Sequence, residues 1–166
     1  MSVASTRPVL ERICDILHSR VATLTTGIKP ATPLVEVVRP TRIGDFTPKH
    51  MQVVLVLGDS AEAEDLYRPG NPPAIAYNQT VNLYCHIMPS EQDPTSLDEY
   101  ASTMHADVIE SITDAGADWH DFGGLAIDTQ LGAVERISSD GSIDGIVIPL
   151  VITYRISEWS PYEVRY

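Results

Sequence analysis

The sequence predicts an α+β fold: a two-layer sandwich with a mixed, mostly antiparallel sheet of about five strands and two helices packed mainly on one face. Three observations predict it. Ile75, Tyr77, Val81, Leu83, Cys85 and Ile87 alternate with Asn78, Thr80, Asn82, Tyr84 and His86. A period of two, with one greasy set and one polar set, marks a strand buried on one face only. Directly after it, Leu97, Tyr100, Ala101, Met104, Val108, Ile112 and Ala115 recur at helical spacing and mark a helix buried along one stripe. Near the end of the chain Ile146, Ile148, Leu150, Ile152, Tyr154 and Ile156 alternate again. One-sided elements must bury their apolar faces against each other, and a shared two-layer core does so.

The first helix is expected to start near Thr6, with Pro8 in the first turn, where a missing amide proton costs nothing. Val9, Ile13, Ile16, Leu17, Val21 and Leu24 form its apolar stripe; Arg12, Asp15, Ser19 and Arg20 fall on the wet side, and Gly27 closes it. A proline-stiffened connector leads to a short strand at 34–38. Residues 40–49 form an irregular loop, and Arg39, Arg42 and Lys49 are the nearest thing to a basic cluster. Residues 51–57 are apolar except for Gln52 and too few for a helix, which fits a central strand covered on both faces.

A long loop is expected at 58–74. It opens acidic, with Asp59, Glu62, Glu64 and Asp65, and closes with Pro69-Gly70-Asn71-Pro72-Pro73. Loops of that length tend to be functional or mobile. In the strand at 75–88, Gln79 breaks the greasy set, so ordered pairing is expected mainly from Thr80 to Met88, before Pro89 ends it. Ser96-Leu97-Asp98-Glu99 forms a capping box for the second helix, and Gly116 supplies a left-handed stop. Residues 117–124 form a turn, 125–137 a strand with a bulge or bend at Gly132, and 138–142 a second turn. Pro149 inside the last strand, 146–156, argues for an edge position or a bulge. Trp159, Tyr162 and Tyr166 crowd the C-terminal tail at 157–166, either to pack back on their own domain or to dock on a neighbour.

With 166 residues, 43% hydrophobic and 20% charged, the chain suits one domain with a real core. No apolar run is long enough to span a bilayer, and the polar start is no signal peptide, so a membrane role is not expected and cytosolic assembly is. Cys14 and Cys85 fall on or near apolar faces and suit buried thiols better than a bridge. The net charge of −12 is uneven: residues 1–70 hold 8 basic and 8 acidic side chains, residues 71–166 hold 3 and 15. Such a chain repels phosphate, which disfavours sequence-driven nucleic-acid binding. Solubility explains the charge most simply; the sharper alternative is a surface that stays near DNA without sticking to it.

Motifs for chemistry are sparse. His18, His50, His86, His105 and His120 make no metal pair at helical spacing. Asp118, His120 and Asp121 could join a metal or acid–base site, but nothing converges on them, and a hydrogen-bonded turn is the expectation. No catalytic, cofactor or metal site is assigned. The acidic run at 59–65 is first a solvated loop, then a partner contact, and last a calcium site.

The order helix, two strands, long strand, helix, two strands has a distinctive texture. It comprises the opening Val9-Leu10-Glu11-Arg12-Ile13, the strand Leu34-Val35-Glu36-Val37-Val38, then Val81-Asn82-Leu83-Tyr84-Cys85-His86-Ile87 and the closing Leu150-Val151-Ile152-Thr153-Tyr154-Arg155-Ile156. In layout, over nearly the whole chain, it resembles the tail terminator (tail completion) proteins of long-tailed bacteriophages. The loop at 58–74 is longer than that family leads one to expect. The resemblance implies a structural virion protein of the tail or neck, assembled in the host cytoplasm, with no enzymatic role and no cofactor. It implies a homo-hexameric ring that caps the tail tube protein and binds the head–tail connector, while DNA passes through without specific binding. Ring interfaces are heterologous, so each subunit needs two different sticky surfaces. On this reading Trp159, Tyr162, Tyr166 and an edge at Pro149 supply one, and Asn78, Thr80 and Asn82 with Tyr84 supply the other or line the channel. Asp59, Glu62, Glu64 and Asp65 are candidate partner contacts. A neighbouring neck or head-closure protein is the alternative, and a small cytosolic metal-dependent enzyme using Asp118, His120 and Asp121 the distant one.

Overall fold

A computed structural model describes residues 6–26, 36–39, 47–89, 95–114, 116–139 and 142–164. Among them are two α-helices, α1 (Val9–Ala22) and α2 (Leu97–Thr113), and seven strands. The strands are β1 (Glu36–Val38), β2 (Gln52–Glu62), β3 (Ala74–His86), β4 (Asp128–Leu131), β5 (Glu135–Ser139), β6 (Ser142–Ser157) and β7 (Ser160–Val164). They form one sheet in the order β1-β2-β3-β6-β4, with β5 and β7 also paired to β6. Only β1–β2 is parallel; every other pair is antiparallel. The α+β class is as expected. The count exceeds five because 125–137 divides into β4 and β5, and because the C-terminal segment folds back as β7.

Both helices lie on one face of the sheet. Val9, Ile13, Leu17 and Val21 of α1 join Met104, Val108 and Ile112 of α2 in a core floored by Leu55, Leu83, Ile148, Leu150 and Ile152. α1 begins at Val9 with Pro8 as its N-cap, one turn later than Thr6, and its expected stop at Gly27 lies outside the described residues. For α2 the Ser96 hydroxyl oxygen accepts from the Glu99 amide at 3.1 Å, and Gly116 takes the left-handed conformation with φ 79°. The expected basic cluster is neutralised locally. Arg39 pairs with Glu11 (3.0 Å) and Asp15 (3.4 Å), tying β1 to α1, and Lys49 pairs with Glu36 (2.7 Å). Arg42 lies outside the described residues.

The long loop expected at 58–74 is mostly ordered ladder and turn. β2 continues to Glu62, a 3₁₀ turn covers Glu64–Leu66, and Arg68 bridges back to Ala74. Successive burial of Val53, Val54 and Leu55 fits a strand covered on both faces, but from Leu57 onward β2 is exposed. Pairing of β3 starts at Ala74, not Thr80, and the residue that corrects the expectation is Gln79. Between Leu57↔Val81 and Ser60↔Gln79 the register shifts, so Gly58 and Asp59 together oppose Thr80. Such a bulge frees backbone carbonyls that need donors. The buried Gln79 amide donates to the Gly58 and Thr80 carbonyls at 2.9 and 2.8 Å, with that of Asp59 at 3.3 Å. The polar intruder in the greasy set satisfies the bulge.

Pro149 is neither on an edge nor in a bulge of its own strand. β6 runs through the sheet interior, and Pro149 pairs with Asn82 of β3. Its carbonyl accepts from the Gly132 amide at 2.8 Å, on the side where β4 has ended and β5 has not begun. N and O of one residue face the same neighbour in an antiparallel pair, so the missing amide proton falls at that gap. A Cβ on Gly132 would lie 2.8 Å from the Pro149 ring, which is why glycine stands there.

Replacing Gln79 with leucine restores the apolar alternation yet is expected to lower stability by about 1–3 kcal/mol, because the bulge carbonyls lose their donor. Urea unfolding measures this, and a midpoint equal to or above the parent's contradicts the account. Cys14 and Cys85 are free and buried, and burial pushes their thiols up to about 11 and about 12. In the native protein neither is expected to react with iodoacetamide near pH ~8, while both react in urea. Unfolded thiols ionise above about pH 8.5 and the native ones do not, so stability is full below that pH and declines as pH rises toward the native values. A rising stability between about pH 9 and 11 contradicts it.

Candidate interaction surface

Cross-strand partners share a face, so the register fixes what stands on the sheet opposite the two α-helices. One row runs Val54, Tyr84, Val147 and Glu135; the next Val56, Asn82 and Pro149; then Thr80, Val151 and Gln130; then Asn78, Thr153 and Asp128. The structure therefore brings Asn78, Thr80 and Asn82 together with Pro149, although the sequence suggested separate surfaces. Val56, Thr80, Asn82, Pro149 and Val151 are all half-buried there. The Thr153 hydroxyl donates to the Asn78 amide oxygen at 2.7 Å. β-Branched side chains and a proline ring make the middle of this face apolar, with amides and hydroxyls on either side. It can bind a second surface by shape and a few hydrogen bonds.

The acidic residues sit at the far end of the β2–β3 hairpin. Asp59 is in the bulge, Glu62 ends β2, and Glu64 and Asp65 occupy the 3₁₀ turn; all four are exposed. At the C-terminus the backbone packs back on its own domain. β7 pairs with β6, and the turn between them carries Trp159, 69% exposed, with Tyr162 exposed on β7. The rings of Trp159 and Tyr162 stay exposed. Tyr166 lies outside the described residues.

Asp118, His120 and Asp121 belong to a turn built around Phe122. Phe122 is fully buried with φ 51°, and Gly123 and Gly124 follow it with positive φ. The Asp121 carboxylate accepts from the Gly123 amide at 2.8 Å, the His120 carbonyl accepts from the Thr129 hydroxyl at 2.8 Å, and the His120 ring stands edge-on to Trp119. Among the described residues no group of three His, Cys, Asp or Glu side chains could hold a metal ion. Arg20, expected on the wet side of α1, fastens this turn. Its guanidinium lies 4.8 Å from the centre of the Phe122 ring and donates to the Trp119 carbonyl at 2.6 Å and the Ile112 carbonyl at 3.3 Å. Burial lowers its pKa, and the nearby Asp121 carboxylate opposes that.

One concave feature went unread in the sequence. A cleft of about 260 Å³ is lined by Arg68, Leu125, Ala126, Ile127, Arg155 and Val164. Arg155 alternates with the apolar set of the last strand and Arg68 lies in the expected loop, and no local signal joins them. No protein-family model matches the chain, and no curated protein matches it.

Arg20→Met keeps the length of the side chain and removes its hydrogen bonds to the Trp119 and Ile112 carbonyls. It is expected to cost about 2 kcal/mol and to alter Trp119 fluorescence in a Trp159→Phe background. An unchanged unfolding midpoint with an unchanged Trp119 signal contradicts the assignment.

Proposed function

We propose that the chain is a structural subunit of a long-tailed bacteriophage virion: a tail terminator that closes into a homo-hexameric ring, caps the tail tube and offers the head connector its docking surface. The observation that carries the reading is that one domain presents two unlike surfaces. The first is the sheet face opposite the α-helices, with Val56, Asn82, Pro149 and Val151; the second is the exposed aromatic tip at Trp159 and Tyr162. A ring needs such a pair, because each copy meets its two neighbours through different patches. Layout supports it in part: helix, two strands, long strand, helix recur in that order, followed by four strands where the resemblance had two. So does the charge of −12. A wall that repels phosphate lets DNA slide, and the repulsion acts within about 8 Å at physiological salt. In this reading no side chain transforms a substrate, and Asp118, His120 and Asp121 shape a turn.

Light scattering and native mass spectrometry are expected to give a hexamer, and electron microscopy a ring on the end of purified tubes. Val151→Glu and Trp159→Ala are each expected to weaken ring assembly by roughly tenfold or more, with far-ultraviolet dichroism unchanged. Protein that stays monomeric at high concentration and also fails to cap tubes ends this reading. Neutralising Asp59, Glu62, Glu64 and Asp65 to the amides is expected to lower head joining; unchanged ring formation, tail length and head joining count against a partner role for that segment.

A further inference from the structure

Cations are scarce in this chain, with 11 Lys and Arg against 23 Asp and Glu. Two of them nevertheless meet at the cleft beside the end of β6. Arg155 is 5% exposed and stands opposite Ala76 of β3. Its Nη2 donates to the Leu66 carbonyl at 3.1 Å, while its Nε–H is buried with no hydrogen-bond partner among the described residues. Arg68 lines the same cleft and is exposed. Burial lowers the pKa of Arg155, and the like charge of Arg68 lowers it further. No carboxylate among the described residues pairs with either guanidinium. A buried guanidinium with spare donors and a second cation beside it is unfavourable until an anion joins them.

The rest of the cleft selects which anion. Leu125, Ala126, Ile127 and Val164 give it an apolar wall. Its volume of about 260 Å³ lies just below the usual range for drug-sized ligands. We infer that this cleft binds a carboxylate carried on a short apolar group, with the carboxylate on Arg155 and Arg68 and the apolar neck against Leu125, Ala126, Ile127 and Val164. A planar carboxylate matches the guanidinium fork and brings a single charge. Phosphate brings nearly two charges and more acceptors than an apolar wall can serve, beside the acidic turn of Glu64 and Asp65. The site belongs to a single subunit and does not depend on the ring.

A free carboxylate and one carried on a polypeptide side chain share this chemistry, and the two sources are separable. The Nε–H resonance of Arg155 is followed by NMR while the full chain is titrated with sodium butyrate, at ionic strength held constant with chloride. A saturable shift is expected, with affinity at least about tenfold weaker in Arg68→Gln, whose exposed side chain leaves the fold intact, and at least about tenfold weaker for inorganic phosphate. N-Acetylglutamic acid α-amide binding more tightly than butyrate assigns a polypeptide source; equal or weaker binding assigns a free carboxylate. The inference is overturned by no saturable shift, by a shift that chloride alone reproduces, by full affinity in Arg68→Gln, or by phosphate binding as well as butyrate.

Discussion

The ladder between β3 and β6 is the constraint on which the rest of the structure depends. It runs unbroken from Ala74↔Ser157 to His86↔Gly145, and every other strand is attached to one side of it or the other. β1 and β2 extend the sheet beyond β3, while β5, β4 and β7 lie along the far side of β6. A slip of one residue would put Val81, Leu83 and Cys85 on the opposite face from Ile148, Leu150 and Ile152, and one set or the other would leave the helices. Gly145 holds one end of the register. A Cβ there would sit 2.3 Å from the Cys85 carbonyl oxygen, so only glycine lets the two backbones approach this closely.

Much of that frame was legible because alternation and helical spacing are local. The faces of β3 and β6, the Ser96 cap and the apolar stripes of both helices follow from neighbours in sequence, and the structure has them where the spacing put them. What local reading missed has one physical form: a polar or irregular residue whose partner lies far along the chain. Gln79 looked like a break because the carbonyls it serves, on Gly58 and Asp59, belong to another strand. Pro149 looked like an edge because the gap that excuses its missing amide proton is in β4–β5. Arg20 looked solvated because the carbonyls it meets are contributed by Ile112 and Trp119.

The candidate surface divides the same way. Asn78, Thr80 and Asn82 were readable as one face of one strand, since a period of two needs no partner to be seen. Their neighbours Val56, Pro149 and Val151 come from two other strands and join them only through register. Arg68 and Arg155 were unreadable together, because a turn after β2 and the end of β6 meet only in the folded sheet.

The sheet's outline favours association through faces over association through edges. Among the described residues β1 covers only Gln52–Val54 of β2 and leaves Leu55–Glu62 as an edge, while β4, β5 and β7 offer four or five residues each, divided by the break at Gly132. Short, interrupted edges make poor templates for an added strand, and the longer edge of β2 is broken by the bulge at Gly58 and Asp59 and carries the exposed carboxylates of Asp59 and Glu62. The face opposite the helices differs: its valines and proline supply apolar area, and Asn78, Thr80, Asn82 and Thr153 keep that area wettable. A purely apolar face would draw any hydrophobic surface, whereas polar groups set among apolar ones must be matched by a partner or left unsatisfied on burial. In the ring proposed above, that requirement would restrict the face to a surface of complementary pattern, which a repeating copy of the same chain would offer at every step around a closed assembly.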